Sequence, residues 1–127
     1  MTLSEQTKDR PTHQPFPADD EGAPKPAEET GSYSMVPPRL REIYFQFYRE
    51  TYRPSVIDRK NKELIAIAAS LTARCQGCIE GHIRKALKFG ASHEEVGEAI
   101  GIAIGVNAAA MVDLTDIAAE SMDLKLY

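Results

Sequence analysis

Apolar residues recur at helical spacing along most of the chain beyond its double proline. In the first such stretch Leu40, Tyr44, Phe47 and Tyr48 fall three or four residues apart, and charged residues occupy the other positions of the wheel. This pattern predicts an amphipathic helix whose aromatic face packs in the core. Pro54 is expected to end it, because proline lacks the backbone N–H that a helix interior needs.

The same spacing predicts three further helices. Asp58 is the expected N-cap of the second helix, and Gly90 stands where the third helix should stop. Ser92 and Glu95 have the spacing of a capping box, which predicts the start of a fourth helix. Since no convincing period-2 run occurs, the sequence predicts an all-α domain.

The fourth predicted helix contains two unusual patterns. Its near-apolar stretch, Ala99 to Val112, is shorter than the roughly 20 residues of a membrane span, so we expect a buried helix and no membrane partner. Gly97, Gly101 and Gly105 lie four apart on one stripe of the helix. Glycines there predict that another helix backbone comes close, from this chain or from another subunit.

Composition separates the N-terminal part from the rest. The chain has 127 residues, 43% of them hydrophobic, and a net charge of −4. Residues 1–36 carry all of that net charge and most of the prolines, which predicts a flexible acidic arm that acts as a solubilising tail. In the alternative, where the arm lies on a neighbouring subunit, Phe16 and Tyr33 would anchor it. Residues 37–127 are neutral overall and form the predicted helical domain. No basic field exists that would favour nucleic acid.

Two cysteines and one histidine carry the candidate chemistry. Cys75, Cys78 and His82 stand at i, i+3 and i+7, which places them on one face of a helix. A thiol in the first turn of a helix is favoured as thiolate, and His82 lies where it could exchange a proton with Cys78. We interpret the group as a redox site in a reducing, cytoplasmic compartment. Zinc binding and inert packing are the alternatives, with zinc short of its usual fourth ligand.

These residues resemble a known family. Glu63, then eleven residues, Cys75-Gln76-Gly77-Cys78, then three residues and His82, is similar to the signature of the alkylhydroperoxidase D-like group of the carboxymuconolactone decarboxylase superfamily. The resemblance spans residues 38–122. One departure is Gly77, since the better-characterised peroxidases of this group have a histidine there.

The resemblance implies a compact multi-helix bundle that assembles as a homotrimer or homohexamer. It also implies a thiol-dependent peroxidase or disulfide reductase with no cofactor and no metal, acting on a hydroperoxide and reduced by an external dithiol. In that scheme Cys78 attacks the peroxide, Cys75 resolves it, and His82 with Glu63 forms a proton relay. The alternative is a non-catalytic assembly module that keeps a degenerate site.

The spacing of Glu63 and His82 adds one geometric expectation. On one straight helix Glu63 and Cys75 would lie about 18 Å apart and share no site. If the chain reverses around residues 72–74, as the resemblance implies, the two helices run antiparallel. Glu63 and His82 then lie beside each other, at the same height along the two helix axes. Apolar Ile79 and Ile83 beside the thiols would weakly favour an organic hydroperoxide.

Overall fold

The computed structural model describes residues 33–124 and Tyr127. These residues form four α-helices and contain no strand, which confirms the all-α class. The helices are α1 (Pro38–Tyr52), α2 (Arg59–Thr72), α3 (Gln76–Lys88) and α4 (His93–Ser121).

The chain divides into two compact units, Met1–Ser55 and Val56–Tyr127. Most of the predicted arm, including Phe16, lies outside the described residues. In the first unit α1 ends before Pro54, as predicted. Phe45 is its buried residue, and the Phe45 ring lies 5.4 Å from that of Tyr33.

The predicted burial of the aromatic face of α1 is wrong for this unit. Leu40, Tyr44 and Phe47 are 48%, 40% and 69% exposed. Among residues 33–55, the described part of this unit, α1 is the one helix, so these residues supply no second helix against which that face could pack.

In the second unit the predicted caps are confirmed. The Asp58 carboxylate accepts a hydrogen bond from the Asn61 backbone N–H at 2.8 Å, and α2 starts there. Ser92 and Glu95 form both hydrogen bonds of the capping box that starts α4. Gly90 follows the end of α3 with φ at +92°, a conformation that glycine adopts without strain.

The core of the second unit is small and lies where α2 packs against α3 and α4. Ile67 and Ala86 are fully buried at its centre. Ala91 and Val96 complete the buried cluster, and Leu64, Leu71, Ile83 and Ile100 pack around it. This contact fixes α2 beside α3 and therefore determines which side chains of the two helices meet.

The prediction that α4 is a buried helix is wrong within this chain. Only 6% of its most apolar window is buried, and that window has a mean hydropathy of 1.5. By length and composition alone α4 could cross a membrane, a test that core helices of soluble proteins also pass. The helix remains exposed because α2 and α3 cover only part of its surface. Its exposed large residues are Ile102, Ile104, Val106, Met111, Val112, Leu114 and Ile117.

The glycine stripe of α4 has no neighbour in the described part of the chain. A Cβ placed on Gly97, Gly101 or Gly105 would meet nothing within 4 Å. Among the described residues, therefore, no other helix of this chain packs on the glycine stripe. Contact with another subunit stays a prediction.

Candidate functional site

A tight turn delivers Cys75 to the start of α3. After α2 ends, Arg74 takes a left-handed conformation, with φ at +55°. Its N–H donates to the Leu71 carbonyl at 3.1 Å, and the Cys75 N–H donates to the Ser70 carbonyl at 3.0 Å. These two bonds are those of a Schellman motif, which usually has glycine in the position of Arg74. No Gly or Pro marks this turn, but the chain reverses around residues 72–74, where the resemblance predicted it.

The cysteine pair lies at the N-terminus of α3. Cys75 is the N-cap residue and Cys78 lies in the first turn. Their Sγ atoms form a disulfide across Cα atoms 5.2 Å apart. Cys75 is half-buried and Cys78 is exposed. The structure thus contains a local disulfide, at the end of a helix where N–H groups favour a thiolate once the bond is reduced.

His82 and Glu63 meet across the contact between α2 and α3. Nδ1 of His82 lies 2.6 Å from Oε2 of Glu63, and their side chains are 10% and 0% exposed. An ionised carboxylate only accepts hydrogen bonds, so Nδ1 carries the proton and donates it. In the neutral tautomer with this donor, Nε2 is the nitrogen that can accept. His82 follows Cys78 by one helical turn on the same face of α3.

Arg59 is a component of the site that the sequence analysis did not assign. Its Nε and Nη2 both lie 2.8 Å from Oε1 of Glu63, the oxygen that His82 does not use. Its guanidinium also lies over the Phe89 ring, with Cζ 4.7 Å from the centroid. The Arg59 side chain is 10% exposed, so this is a buried ion pair. The available signal was the i, i+4 spacing of Arg59 and Glu63 on one helix.

These contacts set the charge of Glu63. Burial acts to raise the pKa of its carboxyl, but hydrogen bonds from His82 and Arg59 outweigh burial and hold that pKa below its ordinary value. Lys85 of α3 lies within Coulombic range of the same carboxylate, and burial lowers the pKa of Lys85. Glu63 is therefore an ionised acceptor at neutral pH, with each oxygen assigned to a different donor.

Within residues 33–124 and Tyr127, no group of three or more His, Cys, Asp or Glu side chains is arranged to hold a metal ion.

A family model describes most of the chain. The model of the carboxymuconolactone decarboxylase family matches residues 38–120, which include α1 to α3 and nearly all of α4. The chain belongs to the carboxymuconolactone decarboxylase family. This assignment confirms the superfamily inferred from the cysteine, histidine and glutamate spacing.

The chain is also similar to individual proteins. The chain is 30% identical over 87 residues to uncharacterized protein 4 in cox locus of Paracoccus denitrificans, an alignment covering 68% of this chain and 78% of the relative. A crystal structure from Methanobacterium thermoautotrophicum superposes with a TM-score of 0.60 at 25% identity, covering 64% of this chain and 91% of that one.

A third comparison is with a carboxymuconolactone decarboxylase family protein of Thermotoga maritima, described as having a possible involvement in the antioxidative response. Its crystal structure superposes with a TM-score of 0.56 at 34% identity, over 62% of this chain and 68% of that chain.

Proposed function

We propose that the chain is a thiol-dependent peroxidase that reduces an organic hydroperoxide with the Cys75–Cys78 dithiol. The observation that supports this most is the pairing of a redox-capable cysteine couple with His82, one turn away on α3 and held by the buried Glu63. The possible antioxidative role described for the Thermotoga maritima protein is consistent with it.

The first step uses Cys78, the more exposed residue of the pair. Nε2 of His82 accepts the thiol proton, and the Cys78 thiolate attacks the terminal oxygen of the hydroperoxide. The O–O bond breaks, Cys78 becomes a sulfenic acid, and the alkoxide takes the proton back to leave as an alcohol. Half-buried Ile79 adjoins Cys78 and favours an organic substituent, whereas Ile83 packs against the core instead.

The second step restores the disulfide seen in the structure. The Cys75 thiol displaces water from the Cys78 sulfenic acid and forms the disulfide. An external dithiol then reduces that disulfide by two thiol–disulfide exchanges and is itself oxidised. A reducing compartment such as the cytoplasm would supply this dithiol. The same exchange run against a substrate disulfide is the disulfide reductase alternative.

Single-cysteine variants test the assignment of the two thiols. With one equivalent of cumene hydroperoxide, Cys75→Ser should accumulate a sulfenic acid on Cys78 that a dimedone probe traps, because the resolving thiol is missing. Cys78→Ser should consume almost no hydroperoxide. Equal trapping in both variants, or none in either, would contradict the proposed cycle and favour the assembly module.

We also propose that the chain works as a homo-oligomer. The exposed apolar surface of α4 and its uncovered glycine stripe are suited to packing against a second copy. Light scattering at micromolar concentration should give a multiple of the chain mass, and Ile104→Glu on the exposed face of α4 should lower it. A monomer mass for the unmodified chain would contradict this assembly.

A further inference from the structure

We propose that Arg59 is a positioning residue that keeps Nε2 of His82 unprotonated at neutral pH, by serving as the counter-ion of Glu63. The inference deepens the proposed function, since it explains how His82 becomes a base for Cys78. It concerns the protonation of three buried side chains, however, and can be measured without turnover.

The contacts of the carboxylate are divided between its two oxygens. Arg59 donates one hydrogen bond from Nε to Oε1 of Glu63, with its Nη2 in ion-pair range of the same oxygen, and His82 donates from Nδ1 to Oε2. This division fixes the rotation of the carboxylate, so Oε2 points at the ring. Stacking on Phe89 holds the guanidinium in place from its other side. Arg59 therefore sets both the orientation and the charge of the group that orients His82.

Counting protons shows what the arginine changes. With Arg59 positive, Glu63 negative and His82 neutral, the cluster of these three side chains carries no net charge, with Lys85 left outside the count. Without Arg59 it would carry a buried charge of −1, which low polarity strongly disfavours. Uptake of one proton restores neutrality. Whether that proton forms an imidazolium, or a carboxylic acid that donates to Nδ1 and forces the other ring tautomer, Nε2 becomes protonated.

A second charged side chain, Lys85, lies near this cluster. From α3, Lys85 lies within Coulombic range of both Glu63 and Arg59, and burial lowers its own pKa. From α4, Glu95 is paired with Lys60 at 2.8 Å. Lys85→Met is therefore the matched test of whether any nearby positive charge has the same effect.

Nitrogen-15 NMR of the full chain with the Cys75–Cys78 disulfide intact, so that no thiol shares a proton with Nε2, measures the inference directly, with the His82→Gln spectrum assigning the ring signals. In the unmodified chain Nδ1 should carry the proton and Nε2 should be bare at pH 7. In Arg59→Met the pH midpoint for loss of the Nε2 proton should rise by about 1 to 3 pH units. Arg59→Lys should recover most of this change because it keeps the charge, and Lys85→Met should give a smaller rise.

Two comparisons separate this role from general damage to the fold. Arg84 is an exposed arginine on α3, and Arg84→Met is the matched control substitution. It should leave the pH midpoint of the Nε2 proton unchanged. In a Glu63→Gln background, Arg59→Met should no longer move the midpoint, since the charge that Arg59 balances is gone. If Arg59→Met does not fold, as judged by circular dichroism, Arg59→Gln carries the same expectation.

If the pH midpoint of Arg59→Met lay within about 0.3 pH unit of that of the unmodified chain, the inference would be overturned. A shift that persists in the Glu63→Gln background would overturn it as well. The pH profile of Cys78 oxidation by cumene hydroperoxide should move with the NMR midpoint, and activity lost at pH 7 should return at higher pH. If the midpoint moves but no hydroperoxide is consumed by any form, the role of Arg59 stands and the peroxidase proposal fails.

Discussion

Replacing Glu63 by glutamine should destabilise the fold far more than the same change at a surface ion pair. Glu63 is fully buried, and its partners Arg59 and His82 have side chains 10% exposed. An amide has one acceptor oxygen and one donor group, so it cannot accept from both partners as the carboxylate does. It also leaves the Arg59 charge buried and uncompensated.

The size of the effect follows from that burial. Removing one partner of a buried ion pair costs about 3–5 kcal/mol, a large share of the roughly 5–15 kcal/mol that stabilises a typical domain. Glu50 and Arg53 form the matched control, because their side chains are 68% and 43% exposed. Glu50→Gln should cost at most about 1 kcal/mol.

Urea denaturation followed by circular dichroism, at one fixed protein concentration and with the disulfide reduced throughout, measures both free energies of unfolding. A cost for Glu63→Gln as small as that for Glu50→Gln would refute the reasoning, because it would mean that Arg59 and His82 do not depend on the buried charge.

Four further predictions follow from the same geometry. Because the folded pKa of Glu63 is depressed, its contribution to stability should be complete above about pH 4.3, the unfolded value, and decline as the pH falls through the folded pKa. In Glu63→Gln the urea midpoint should therefore depend less on pH over that range. Arg74→Gly should raise the free energy of unfolding by up to about 1 kcal/mol, since glycine adopts the left-handed turn without strain. Gly77→His should raise the rate of hydroperoxide reduction, because a Cβ there meets nothing within 4 Å and a second proton carrier would adjoin Cys78. An unchanged rate would mean that a histidine at this position does not carry protons for Cys78. In stopped-flow kinetics His82→Ala should slow Cys78 oxidation by about 10²–10⁴-fold. Adding Glu63→Gln should slow it little further, because the two residues act as a unit; rate losses that multiply would mean that they act independently.

Local signals in the sequence were sufficient for most of the fold of the second unit. The caps at Asp58 and Ser92 and the stop at Gly90 depend on side chains within a few residues, so the helix starts and ends that they predict are confirmed. The turn at Arg74 was not visible from composition, because an arginine occupies a position where glycine is the usual signal.

The exposure of α4 and the role of Arg59 depend on contacts that the sequence does not specify. The apolar pattern of α4 predicts a partner but not whether that partner belongs to the same chain, and α2 and α3 cover little of it. Arg59 has the spacing of an ordinary surface ion pair with Glu63. Only the packing of α2 on α3, which buries both side chains beside His82 and Phe89, distinguishes it.

Counting thiols against hydroperoxide tests the central claim most directly. The fully reduced chain has two thiols, Cys75 and Cys78. One equivalent of cumene hydroperoxide should leave no titratable thiol and yield one equivalent of cumyl alcohol. Digestion of the product should then release the Cys75–Cys78 linked peptide. Two thiols still titrating after the hydroperoxide is added, with no alcohol released, would contradict the proposed peroxidase.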